Sequence, residues 1–175
     1  MRRNLSLRKS PKRRSDLTGV DMAIAVVRVR GSVNVPRETR RILHQLGLER
    51  PNNVVLLDES ETYAGMLQKV RHLVTYGSPS EKAIEFLIRK RGEVKGHGRL
   101  TDQYVAENTG FSSIAGLSKS LSENKASVKD VPMMKRTFRC SPPSKGYENV
   151  KRSFQVGGSV GDRGEAIDEL LKRMA

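Results

Sequence analysis

The sequence predicts an α+β fold, on two observations. Short β-branched runs alternate with runs of helical spacing through the first half, in the order β-α-β-α-β. Helix-spaced segments joined by polar, glycine-rich or proline-rich stretches then dominate the second half. The first pattern implies a small sheet with helices packed on one face, and the second a helical, loop-rich extension. The division is residues 1–22, a basic leader; 23–77, the β-α-β-α-β core; and 78–175, the extension. A length of 175 residues suits one domain, or a small core with an appended lobe.

The elements follow in order. Residues 1–22 carry seven Arg or Lys against two Asp and show no apolar periodicity, so the leader is expected to be disordered in isolation. Met22 stands directly before the first strand. The mature protein is therefore expected to start near Met22, or to carry a leader that orders only against its partner. Ala23–Arg30 reads Ala-Ile-Ala-Val-Val-Arg-Val-Arg, a strand whose end alternates buried and polar positions. Gly31–Val35 is a turn, and Pro36 fits the first turn of a helix. Thr39, Ile42, Leu43 and Leu46 keep helical spacing up to a stop at Gly47. Asn53–Asp58 is a second strand. Ser60 or Thr62 can cap a helix bearing Met66, Leu67, Val70 and Leu73, and Leu73–Tyr76 is β-prone.

Ser80 caps the next helix, with Ala83, Ile84, Leu87 and Ile88 at core spacing. Gly92–Arg99 reads as flexible and basic. Thr101-Asp102 opens a short helix through Val105, and Ser112 or Ser113 opens one with Ile114, Leu117 and Leu121. Asn124–Pro132 is a polar connector. Phe138–Gly146 is an extended loop with two consecutive prolines. Phe154-Gln-Val is a strand candidate, and Glu165–Met174 is an amphipathic helix.

The formal net charge of +14 is spread over the ends of these elements and the turns between them. A folded body with cationic rims suits a large polyanion, since each neutralised phosphate releases counterions. Four Phe, four Tyr and no Trp are too few for a base-stacking platform. Structured RNA, read through phosphate, sugar and shape, fits better, and no DNA partner is expected. The candidate RNA contacts are Arg28, Arg30, Arg37, Arg40, Arg41, His44, Lys69, His72, Arg89, Lys90, Arg91, Lys95, His97, Arg99, Lys135, Arg136, Arg139, Lys145, Lys151, Arg152 and Arg163. Pro142, Pro143 and Gly146 join them, because they stiffen the backbone or let it approach RNA closely. Phe138 can anchor this last stretch; the alternative is a structural crossover loop.

Other chemistries find little support. His44, His72 and His97 have no metal-ligand spacing, and Cys140 is the single cysteine, so no metal, cofactor or internal disulfide is expected. One cysteine suits a reducing, intracellular compartment. Cys140 has no base nearby in sequence and reads as a bystander thiol. The acids mostly flank cations at helical spacing, such as Glu85 with Arg89, so salt bridging accounts for them and no enzyme is implied. Gly157-Gly158-Ser-Val-Gly161 lacks the Gly-Lys-Ser/Thr of a nucleotide loop and reads as a flexible connector. No apolar run approaches the roughly 20 residues that span a bilayer, so no membrane partner is expected.

Three stretches carry a family resemblance. They are Val26–Gly31 with Arg40–Leu48; Asn53–Asp58 with Tyr63–Gly77; and Phe138–Gly146 continuing through Gly157-Gly158 to Met174. Together they resemble the universal large-subunit ribosomal protein L-thirty family in its archaeal form, whose eukaryotic relative is called L-seven. Arg89–Gly92 and Leu100–Asp102 resemble the archaeal and eukaryotic extra region. The resemblance implies a mainly antiparallel three-stranded core sheet, a cytoplasmic ribosome of archaeal source, and no catalysis. The implied partners are large-subunit rRNA near the 5S rRNA region, with 5S rRNA itself a candidate, and neighbouring ribosomal proteins. The leader and Cys140-Ser141 depart from the family pattern. The alternative function is a free-standing RNA-binding regulator or chaperone acting off the ribosome.

Overall fold

The computed structural model describes residues 23–175 apart from His97; the leader, with the expectations placed on it, lies outside the described residues. The first half follows the predicted order. Strand β1 is Ile24–Arg28, helix α1 Arg37–Gln45, β2 Asn53–Leu57, α2 Glu61–Val70, β3 Val74–Gly77 and α3 Glu81–Arg91. Side-chain oxygens start two of the helices: Ser60 accepts from the Tyr63 N–H and Ser80 from the Ala83 N–H, each at 3.3 Å. Of the two cap candidates for α2, Ser60 takes the position. Pro36 caps α1 from outside rather than sitting in its first turn. Gly47, at φ +77°, ends α1.

The second half departs further from expectation. Gly92–Arg99 is organised by a hairpin of β4 (Glu93–Val94) and β5 (Gly98–Arg99), followed by α4 (Asp102–Asn108) and α5 (Ile114–Ser122). The connector after α5 buries Ala126, Val128 and Val131, so it is a piece of core. Thr137–Arg139, which overlaps the start of the expected Phe138–Gly146 loop, is strand β6. Asn149–Ser153 is β7 and Gly158–Asp162 is β8. Phe154–Val156, expected as a strand, is instead a single 3-10 turn between them. A final helix, α6, runs Ile167–Met174.

The α+β class holds, and the core strands β2, β1 and β3 pair antiparallel as expected. The sheet is wider than three strands. Its order is β6-β2-β1-β3-β8-β7, with β6 antiparallel to β2, and with β8 parallel to both β3 and β7. Local pattern hid the added strands. Prolines follow β6, and β8 opens on a glycine because its neighbour lies too close there for a side chain. A Cβ on Gly158 would sit 2.0 Å from the Arg152 carbonyl oxygen.

Strand alternation sends side chains to two apolar layers. Val26, Val55, Leu57 and Val74 face α1 and α2, meeting Leu43, Leu46, Leu67 and Val70. Ala25, Val27, Val54, Leu56 and Phe138 face α3 to α6. The core helices therefore share one face, as predicted, and the extension covers the other. Sheet and extension meet closely at Gly77, where a Cβ would lie 2.1 Å from the Gly164 carbonyl oxygen. Gly77→Ala is expected to force this backbone contact apart and cost about 1–3 kcal/mol, as overpacking of a tight core does. Chemical denaturation checks it; an unchanged midpoint would mean that the contact is loose.

Candidate nucleic-acid interface

Arg28 shows how far charge and exposure can separate. It ends β1, where the sequence suggests a half-polar face, yet it lies on the α1 and α2 side of the sheet, as Val26 does, against the link between α1 and β2, and is 1% exposed. Nη1 donates to the carbonyls of Leu48 at 2.6 Å and Glu49 at 2.7 Å. Nη2 donates to Ser32 Oγ at 2.7 Å and Nε to the Arg30 carbonyl at 3.0 Å. Burial, with the charge of Arg40 added, lowers its pKa. Placed inside, Arg28 clamps the end of β1 to the link between α1 and β2. Arg163 is also engaged inward, its guanidinium 4.2 Å above the Phe154 ring and Nη2 3.4 Å from the Ser159 carbonyl. Burial lowers its pKa as well.

Most of the other candidates stand outside, in distinct groups. Lys95, Lys135, Arg136 and Arg139 line one groove along β6, with Glu49 on its wall. Lys135 also pairs with Glu93 at 2.7 Å, and that hydrogen bond holds the Glu93 carboxyl below its usual range. Arg37, Arg40, Arg41 and His44 are exposed or half-exposed along α1, with His44 Nε2 3.2 Å from Glu49 Oε1. Arg89, Lys90 and Arg91 end α3, where basic side chains suit the negative pole of the helix. Arg89 is already paired with Glu85 at 2.8 Å, and Arg91 donates to Ser141 Oγ at 2.7 Å. Lys69, Arg99 and Arg152 are exposed on α2, β5 and β7, and His97 lies outside the described residues.

A second groove lies on the sheet itself. Its rim carries Arg71, His72 and Lys151, and Tyr76, Val160 and Gly161 line it too, with Asp162 beside them. Burial, then the Asp162 charge, raises the Tyr76 pKa. Arg30 and His72 also border the notch under the Gly31–Pro36 turn. Arg71 was absent from the sequence-based set. Its place directly after α2, beside His72, was the available signal.

The proline-bearing segment is pinned from within. Pro142 is exposed and Pro143 buried. The amides of Ser141 and Ser144 donate to the carbonyls of Met174 and Arg173, and Arg173 donates to the carbonyls of Ser144 and Gly146. These amides are thus taken by the end of α6, whereas Lys145 projects outward beside Glu148 and Glu169. Burial pushes the neighbouring Cys140 thiol up to about 11. It is expected to resist alkylation in the folded protein at neutral pH, as intact mass after iodoacetamide treatment will show; rapid native labelling would contradict this. Among the described residues no cluster of His, Cys, Asp or Glu could hold a metal, and no helix is long and apolar enough to cross a membrane.

Comparison with known proteins adds to this geometry. Residues 24–74 match the family described as ribosomal protein L30p/L7e. The large ribosomal subunit protein uL30 of Methanosphaera stadtmanae is 39% identical over 150 residues, covering 86% of this chain and 98% of that protein. The chain belongs to the ribosomal protein L30p/L7e family. The uL30 proteins of Archaeoglobus fulgidus, 41% identical, and Methanocella arvoryzae, 37% identical, each align over 150 residues, 86% of this chain and 98% of their own length. An alignment of 150 residues in a chain of 175 must reach at least residue 150. The family likeness therefore includes the extension as well as the L30p/L7e core.

Proposed function

We propose that this protein is a structural constituent of the large subunit of the cytoplasmic ribosome, where it binds large-subunit rRNA beside neighbouring ribosomal proteins. It is not an enzyme; its family is structural. The observation that carries the reading is likeness along 98% of the length of proteins named for the large ribosomal subunit. The exposed cations of the β6 groove, α1 and the sheet groove support it, since each can neutralise a phosphate without disturbing the core. The proposed contact set leaves out Arg28 and Arg163, whose donors face protein, and adds Arg71. It extends to the neighbourhood of 5S rRNA on the strength of the family resemblance.

Sedimentation of a cell extract at physiological salt tests the proposal. Co-migration with large subunits is the expected result. A chain found wholly in the light fractions would overturn it in favour of an RNA-binding regulator or chaperone. Crosslinking within the purified subunit then tests the 5S neighbourhood.

A further inference from the structure

We propose that the protein grips two separate RNA segments, one along β6 and one on the uncovered part of the sheet beside α2. This rests on the rRNA-binding reading above.

The sheet's own dimensions separate the two grooves. In the strand order, β6 and β8 are four spacings apart, which at about 4.8 Å each is roughly 19 Å. The first groove occupies the β6 edge. The second exists because the sheet is wider than its helical cover. The apolar layer under α1 and α2 draws on β1, β2 and β3, and no residue of β8 or β7 belongs to it. Tyr76 packs at the margin of that layer and lines the groove, so the groove opens where the helices stop. Strands β8 and β7 thus extend the floor into a shelf, and α2 ends at its rim.

The charge on the shelf favours RNA as its occupant. Arg71 and His72 stand on one side and Lys151 on the other, with Asp162 the one acid among its lining residues. Arg71, His72 and Lys151 are exposed, and neither Arg71 nor Lys151 has a carboxylate partner in the ion pairs found among the described residues. A phosphodiester backbone supplies the missing counter-charge, while Ser153 and Gln155 offer neutral hydrogen-bonding groups to sugar and phosphate. The bodies of α1 and α2 lie over the sheet between the two grooves. A protein with two such sites ties together RNA segments that are apart in sequence, and the second contact benefits from the local concentration set by the first.

Hydroxyl-radical footprinting of large-subunit rRNA separates one site from two. It compares wild-type protein with Arg71→Ala/Lys151→Ala and Arg136→Ala/Arg139→Ala. Wild type is expected to protect two sets of nucleotides. Each double variant should lose one set, a different one in each case, and lower the salt slope of binding by about 1.8. All four side chains are exposed, so melting should not change; glutamine versions of the same pairs repeat the test with longer side chains. If both variants weaken one common set, a single RNA track passes over the arginines of α1 and the two-segment model is wrong. If the shelf variant protects like wild type, the shelf holds no RNA. An rRNA that wild type does not protect at all would sink the underlying function instead.

Discussion

Arg28→Met is expected to destabilise the protein by roughly 2–4 kcal/mol, although it removes a charge that sequence alone would assign to the surface. Four hydrogen bonds from one guanidinium are lost, and at least the Leu48 carbonyl is left in a buried setting. Hydrogen bonds from a charged donor contribute about 1.5–3 kcal/mol, and a buried acceptor left unpaired costs about 1–3 kcal/mol. The methionine recovers part of this by apolar packing. For a chain of this size each kcal/mol shifts the melting temperature by about 2–4 °C, so a drop of roughly 5–15 °C is expected. Arg28→Lys should recover little, because a compact ammonium cannot span the carbonyls and Ser32 at once. Arg30→Ala, at the half-exposed neighbouring position, should leave melting almost unchanged. A methionine variant that melts with wild type would show that the clamp is not needed to hold β1 against the α1–β2 link.

Binding to large-subunit rRNA is expected to weaken steeply with salt. If about 6–10 phosphates are neutralised, affinity should fall by roughly 10³–10⁵ between 50 and 200 mM. Arg136→Ala/Arg139→Ala should lower the slope by about 1.8 while melting stays the same, since both side chains are exposed. Lys145→Ala should lower it less, because Glu148 and Glu169 share its surroundings. The comparison matters because Arg139 and Lys145 look equivalent in sequence: both flank the same two prolines. Titration of the purified protein with rRNA at several salt concentrations gives all three slopes. A flat dependence for wild type would exclude phosphate neutralisation as the source of affinity.

The β-α-β-α-β core, the helices, the Ser80 cap of α3, the cationic character and the family are all legible in the sequence. Each of these is written in local order. A period of 2 or 3.6, a serine before an apolar run or a cluster of arginines has the same meaning wherever the chain goes next. Tertiary structure decided the width of the sheet and the fate of individual charges. Strand β6 pairs with β2 across more than 80 residues, Val54 opposite Phe138, and β8 joins β3 by a parallel register of Thr75 with Gly161. No local pattern encodes such partners. Gly158 shows the same limit: its glycine suggests a flexible connector until the Arg152 backbone is seen against it. Arg28 ends β1 and Arg30 follows two positions later, with similar neighbours in sequence. The carbonyls of Leu48 and Glu49, arriving with the link between α1 and β2, and Ser32 from the turn after β1 turn the first into an interior clamp. Burial is set by what packs from elsewhere in the chain, so the charge of a residue was legible from sequence and its direction was not.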